Sequence, residues 1–358
     1  MKQSPSPLIV RENVPLAPFT TLGIGGPARF LIEAQTEAQV TDALELAAAH
    51  SLPVFVLGGG SNILVSDAGF SGVVIKIALR GIEQTDSGLI VAAAGEDWDS
   101  FVRRCVGQEL AGIECLSGIP GTIGGTPVQN VGAYGQEVSE VIVSVRVLDR
   151  ETRQVAELSN EECGFAYRKS IFNSSHREHY VVLSVSYTLQ AGGVPRIAHP
   201  DVLRCFAGRT HRPSLAAVRE AVLRIRESKS MVARPGDPDV KSAGSFFKNP
   251  IVPAAIAANI EEAARLHGLL QEREAMPRQP MPGSMVKLPA AWLVEHAGFA
   301  KGYSRGRVGL SSKHALALIN RGGATAQELL DLVRDIQTAV RALFDVELVP
   351  EPVFVGFE

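Results

Sequence analysis

The chain has 358 residues, 46% of them hydrophobic and 20% charged, and at roughly 150 residues per domain that predicts two domains with room for a third. Its 35 Lys and Arg against 38 Asp and Glu leave a net charge of −3, which excludes a global basic field for nucleic acid or anionic lipid. No apolar run approaches the roughly 18 residues of a membrane span, and residues 1–18 carry no signal-peptide pattern. The four cysteines, Cys105, Cys115, Cys163 and Cys205, have neither Cys-x-x-Cys spacing nor nearby histidines. Buried free thiols in a reducing, cytoplasmic setting are therefore expected, and no metal site.

In chain order, Thr36 and Gln39 read as a capping box for a helix carrying Val40, Ala43, Leu44 and Ala47 on one face. Residues 54–57 form a continuous apolar strand ended by Gly58-Gly59-Gly60-Ser61-Asn62. With further strands at 63–65 and 73–77, residues 28–79 read as one α/β unit with a glycine loop inside it. A strand at 89–94 precedes Trp98, Phe101, Val102, Cys105 and Val106 at helical spacing, in a helix stopping near Gly112. The passage 118–135 holds six glycines. A loop this long, interleaved with apolar residues, predicts an ordered functional segment. Strands at 141–148 and 180–189 follow, then Ser214 as an N-cap for Leu215, Val218, Val222 and Ile225. A helix over about 254–266 precedes a long helix opened by a second capping box, Thr325 with Glu328. The tail, 346–357, is extended and punctuated by Pro350 and Pro352, which suits an edge strand.

Several segments could carry chemistry, each with a plainer alternative. Successive amides in 58–62 can form an anion-binding concavity without being a Walker A or Gly-x-Gly-x-x-Gly sequence; a flexible hairpin is the alternative. Residues 118–135 make a second cradle of low bulk, or an ordinary surface loop. Two cradles on one chain suit a dinucleotide-sized ligand. Arg168, beside Tyr167 and among apolar residues, needs an acidic partner or an anionic ligand. Ser245 follows Gly244 and precedes two phenylalanines outside any Gly-x-Ser-x-Gly elbow, which argues against a hydrolase nucleophile and leaves a capping serine as the alternative. Glu351, between two prolines, is either on the surface or aimed into a site. His176 and His179 sit in a polar loop and read as solvated.

Taken in order, Gly-Gly-Gly-Ser-Asn (58–62), Ile-Pro-Gly-Thr-Ile-Gly-Gly (119–125), Gln-Asn-Val-Gly-Ala-Tyr-Gly (129–135), Tyr-Arg-Lys-Ser-Ile-Phe (167–172), Ala-Gly-Ser-Phe-Phe-Lys-Asn-Pro (243–250) and Pro-Glu (350–351) resemble the UDP-N-acetylenolpyruvoylglucosamine reductase (MurB) family in its longer type. The likeness runs over nearly the whole chain. It implies an α+β fold in three domains. An FAD-binding fold of the vanillyl-alcohol-oxidase (PCMH) type would occupy 1–80, completed by 345–358, and 81–213. A C-terminal α+β substrate domain would occupy 214–344.

The resemblance further implies non-covalent FAD held by Gly58, Gly59, Gly60, Ser61, Asn62, Ile119, Pro120, Gly121, Gly124, Gly125, Thr126, Gly132 and Val182, with NADPH as co-substrate. The implied enzyme is cytoplasmic and monomeric and reduces UDP-N-acetylglucosamine enolpyruvate to UDP-N-acetylmuramate for peptidoglycan. Flavin N5 would give hydride to C3, Ser245 a proton to C2, and Arg168 and Glu351 would hold the carboxylate. Tyr134, Tyr167, His199, Lys229, Asn249, Lys287 and Glu295 fall at substrate positions. His199 departs from the pattern, standing where the longer type has a loop tyrosine. The competing readings are another FAD-dependent oxidoreductase, such as a sugar or lactone oxidase, and an inactive nucleotide-binding relative. The glycine segments hold no histidine for covalent flavin attachment, and the joint presence of Ser245, Arg168 and Glu351 argues against inactivity.

Overall fold

A computed structural model describes residues 7–86, 88–208, 210–232, 236–271 and 273–357. Two compact units emerge, one of Met1–Pro15, Pro27–Gly60 and Phe70–Val232, the other of Leu16–Gly26, Ser61–Gly69 and Ala233–Glu358.

Two larger sheets build the first unit. Strands Pro27–Ala34, Phe70–Ile77 and Val54–Leu57 are parallel, with Val10–Pro15 antiparallel at one edge. Leu31, Ile32, Val73, Val74 and Ile75 on the two central strands are fully buried, as a sheet with a covered face requires. Helix Glu37–Ala49 buries Val40, Ala43, Leu44 and Ala47, and Thr36 caps it by accepting the Gln39 amide. The Gln39 side chain accepts the Gln35 amide, one residue before the cap, at 2.8 Å. The second sheet is antiparallel, ordered Val155–Ser159, Ile142–Asp149, Tyr180–Tyr187, Ile90–Ala93, Ile82–Gln84. Helix Trp98–Gly107 packs its apolar stripe beside it, with Trp98 and Phe101 rings 6.2 and 5.1 Å from Tyr187. That helix ends before the Gly112 stop expected from sequence, because Glu109 turns left-handed (φ 56) and Leu110–Ala111 pairs with Gln190–Ala191.

Helix Leu215–Ser228, capped by Ser214, belongs to this first unit. The segment 28–79 is not a single unit. Strand Ile63–Val65 leaves it and pairs in parallel with Val353–Val355. Leu64, fully buried, joins the apolar core of the second unit with Phe246 and Phe247. That core also takes helices Ala254–Leu266, Ala290–His296 and Ala326–Phe344. The last has a complete Thr325/Glu328 capping box, and the Asp67 carboxylate accepts its first two amides at 2.8 and 3.0 Å.

Among the described residues no helix is long and apolar enough to cross a membrane, and no acidic, histidine or cysteine cluster could hold a metal. Burial pushes the thiols of Cys105, Cys115 and Cys163 up to about 12. Cys205 is exposed, contrary to the expectation for all four, because it closes a short surface helix, Pro200–Cys205. His179 is not simply solvated either. Its Nε2 lies 3.0 Å from Asp149 and its ring meets Tyr180 edge-on at 4.5 Å.

Candidate functional site

Within the first unit the two glycine segments meet. A Cβ on Gly59 would lie 2.6 Å from Gly121 Cα, and one on Gly58 would lie 2.9 Å from Thr122 Oγ1. Only glycine permits that approach. The Thr122 hydroxyl is buried without a hydrogen-bond partner, a feature that calls for a ligand atom or water. Residues 121–124 are fixed from behind: Gly121 accepts the Trp98 amide, Ile123 donates to Glu96, and Gly124 donates to Ala94. Thr126 bonds Ile123 O and the Tyr187 hydroxyl at 2.8 and 3.1 Å. Val182 lies nearly buried in the sheet opposite Val147, whereas Pro120 and Gly125 are exposed. A bare backbone cradle with an orphaned hydroxyl fits the flavin dinucleotide expected there.

Asp99 pins the start of the longer segment. It accepts the Gly118 amide at 2.5 Å and both Arg219 terminal nitrogens at 2.6 and 2.7 Å. Burial would raise its pKa, yet these donors hold it below the ordinary carboxylate value. Beside Gly118 lies Arg226, buried, with its Nε unpartnered and Nη2 on the Met231 carbonyl at 3.2 Å.

Tyr134 sits at the tip of the hairpin joining Gly132–Ala133 to Gln136–Glu137 and adopts φ 50. Burial raises its phenol pKa, opposed by Arg226 and Lys229. The His199 ring stands edge-on to it at 5.2 Å, and Lys229 Nζ lies 5.8 Å from its centroid. Lys229 bonds Asp201 at 2.9 Å. His199 Nδ1 accepts the Asp201 amide and so caps the short helix, while burial lowers the imidazole pKa. On the same hairpin, the Gly132 and Asn130 carbonyls accept Arg168 at 2.8 and 3.5 Å. Tyr167 and Arg168 occupy the turn between Ala166 and Lys169, which bond each other reciprocally. Arg168 has φ 54 and lies 5.6 Å over the Tyr167 ring. Left-handed conformations at Asn130, Tyr134 and Arg168 are the kind of local strain that functional sites retain.

In the second unit, Gly244, at φ 71, turns the chain into a buried strand-like segment. Phe246 donates to Leu316 O and accepts the Glu351 amide, both at 2.8 Å, and Lys248 donates to Val349 O at 2.9 Å. The segments carrying Ser245 and Glu351 are thereby joined, through an isolated antiparallel bridge of Phe247 with Pro350. Asn62 joins them, its Nδ2 donating to the Glu351 carbonyl at 3.3 Å and its own carbonyl accepting the Val353 amide at 3.0 Å. Ser61 accepts the Thr21 hydroxyl on its carbonyl at 3.4 Å. Asn249 Oδ1 accepts the Ala290 amide at the start of helix Ala290–His296, and Lys287 lies opposite Ile251 on the adjoining strand. Glu295 stands apart from these, on that helix, paired with Lys301 at 3.8 Å. Thus Tyr134, Tyr167, Arg168, His199 and Lys229 share the first unit, and Ser245, Glu351, Asn62, Asn249 and Lys287 the second.

Sequence reasoning missed Asp99, Thr122, Asp201, Arg226 and His314, whose Nε2 is 3.5 Å from Ser245 Oγ. Thr122 falls inside Ile-Pro-Gly-Thr-Ile-Gly-Gly without standing out there, and the other four lie outside the motifs and gain their contacts from partners elsewhere in the chain.

Residues 237–355 match the family profile for the C-terminal domain of UDP-N-acetylenolpyruvoylglucosamine reductase, and residues 28–157 match an FAD binding domain. The UDP-N-acetylenolpyruvoylglucosamine reductase of Thermobifida fusca is 46% identical over 352 residues, covering 96% of this chain and 98% of that protein. The Streptomyces avermitilis protein of the same name is 44% identical over 97% of this chain and 95% of its own length. A crystal structure of the Thermus caldophilus enzyme (MurB) superposes with a TM-score of 0.67 at 26% identity, over 97% of this chain and 99% of that one.

Proposed function

Because the chain belongs to the UDP-N-acetylenolpyruvoylglucosamine reductase family, we propose that it reduces UDP-N-acetylglucosamine enolpyruvate to UDP-N-acetylmuramate, using non-covalent FAD and NADPH. When bound, FAD would supply the two-electron chemistry that links NADPH oxidation to reduction of the enolpyruvyl group. Gly58, Gly59 and Gly60 would hold its pyrophosphate by backbone amides, with residues 119–126 lining the cradle, and the Thr122 hydroxyl would find its partner there.

The remaining work falls to side chains. Adding hydride at C3 pushes electrons toward C2 and the carboxylate, so fixed donors at that end stabilise the enolate-like intermediate. Arg168 supplies a permanent cation pre-aimed by two carbonyls, and Glu351 orients the carboxylate end. Ser245 then donates its proton to C2. A serine is a weak acid, and its competence depends on a closed, dry site facing a strongly basic carbanion. Lys229 serves the diphosphate as a compact cation. In the free protein it is held by Asp201, a partner the substrate phosphates must outcompete. His199, edge-on to Tyr134, takes the place of the loop tyrosine.

The observation that supports this reading is the backbone bond from the Glu351 amide to Phe246, the residue after Ser245, which brings the two segments together in one unit. A three-part organisation, 1–80 with 345–358, then 81–213, then 214–344, a cytoplasmic location and a monomeric state complete the proposal. Its test is a pair of half-reactions on purified, yellow protein. Ser245→Ala should keep NADPH-driven flavin bleaching and slow substrate-driven reoxidation by at least about 10²-fold. A colourless protein that FAD does not reconstitute, or equal slowing of both halves, refutes it.

A further inference from the structure

A serine that gives up its proton becomes an alkoxide, a strong base whose charge a half-buried site must stabilise. Within reach of that oxygen is His314, its Nε2 3.5 Å from Ser245 Oγ. This is long for a hydrogen bond, and such contacts tighten when substrate closes a site. The direction of the bond is set at the other ring nitrogen. His314 Nδ1 accepts the Leu316 amide at 3.0 Å, so the neutral ring carries its proton on Nε2 and donates toward the serine. The arrangement is held rigidly. Leu316 O accepts the Phe246 amide, tying together the residues just beyond His314 and Ser245. The preceding turn is anchored where Asp239 accepts the Ser311 and Ser312 hydroxyls and the Ser312 amide at 2.7–2.9 Å.

We propose that His314 is a positioning residue for the proton transfer: its Nε2–H donates to Ser245 Oγ, turns the hydroxyl proton toward the substrate, and stabilises the alkoxide left behind. The proposal rests on the assignment of Ser245 as proton donor. In the step, the serine O–H bond breaks as a C–H bond forms at C2. The electron pair stays on Oγ, the imidazole remains neutral and keeps its proton, and a proton from solvent restores the hydroxyl as product leaves.

Two substitutions separate the ring's two contacts. Asparagine at this position offers Oδ1 to the Leu316 amide and nothing to Ser245; glutamine places an N–H where Nε2–H was. In the holoenzyme, His314→Asn should slow substrate-driven reoxidation by about 10²-fold, with NADPH reduction and flavin content within twofold of the unsubstituted protein. His314→Gln should recover reoxidation to within about tenfold, and Ser245→Ala with His314→Asn should be no slower than Ser245→Ala alone. Equal rates in the Asn and Gln variants, slowing of both half-reactions together, or additive losses in the double variant would overturn it. Collapse in Ser245→Ala with no effect in His314→Asn removes only the histidine's role, whereas undiminished reoxidation in Ser245→Ala removes the serine assignment beneath it.

Discussion

Asp99 holds both terminal nitrogens of Arg219 and the Gly118 amide, so one carboxylate fixes the point where helix Trp98–Gly107 hands the chain to the long glycine segment. Asp99→Asn should cost about 1.5–3 kcal/mol, the range for hydrogen bonds to charged groups. Because the folded carboxyl is held below its unfolded value near 3.9, this stability is fully present above that pH and lost as pH falls through the folded value. The gap in urea midpoint between the two proteins should therefore close below about pH 4. At the cradle, Gly59→Ala would drive a methyl against Gly121 backbone. Overpacking of about 1–3 kcal/mol corresponds to roughly 5- to 150-fold weaker FAD binding, readable by flavin titration. A Cβ on Gly125 meets no atom within 4 Å, so Gly125→Ala should keep the melting temperature, and any loss of flavin there reports the ligand alone. The close approach at Gly58 and Gly59 was legible in the sequence because a run of glycines announces it, and Ser245, Arg168 and Glu351 stood out as candidates because of their motif neighbours. Asp99, Asp201 and His314 did not, because an ordinary acid or histidine gains meaning only when folding delivers Arg219, Lys229 or Ser245 to it.

Capping was read correctly at Ser214 and at Thr325, where local spacing alone decides which amides are satisfied. Thr325→Ala should lower stability by about 1 kcal/mol, seen as a lower urea midpoint at unchanged slope. The loss stays moderate because Asp67 continues to accept the Ala326 and Gln327 amides. Strand partners were harder to read. Residues 63–65 were recognisable as a strand, but nothing near them names Val353–Val355 as the mate, since parallel pairing leaves no turn signature in the sequence. The helix over 98–107 was identified by its apolar period and over-extended, because the left-handed Glu109 that ends it is not a glycine.

At the scale of the molecule, both units are assembled from non-contiguous stretches. The second draws Leu22, Ile24, Leu64, Val346 and Leu348, each no more than 5% exposed, from outside 233–344. A fragment of 233–344 produced alone should consequently remain unfolded, with a collapsed amide chemical-shift range by NMR; a well-dispersed spectrum would refute this. The family resemblance carried by the motif order implied the α+β class, and the glycine segments themselves announced the two cradles, because close approach depends on what local segments can accommodate. Which stretches share a core was beyond reach, since apolar residues at 22, 64 and 348 look alike wherever they end up.

The pairing of Ile63 with Val353 also has a temporal side. During synthesis at about 5–20 residues per second, strand Ile63–Val65 emerges roughly 15–60 s before its mate exists. For that interval the nascent chain carries an open strand edge and an unfinished apolar core, the combination most prone to wrong partners. The second unit can close only after Val353–Val355 has been made.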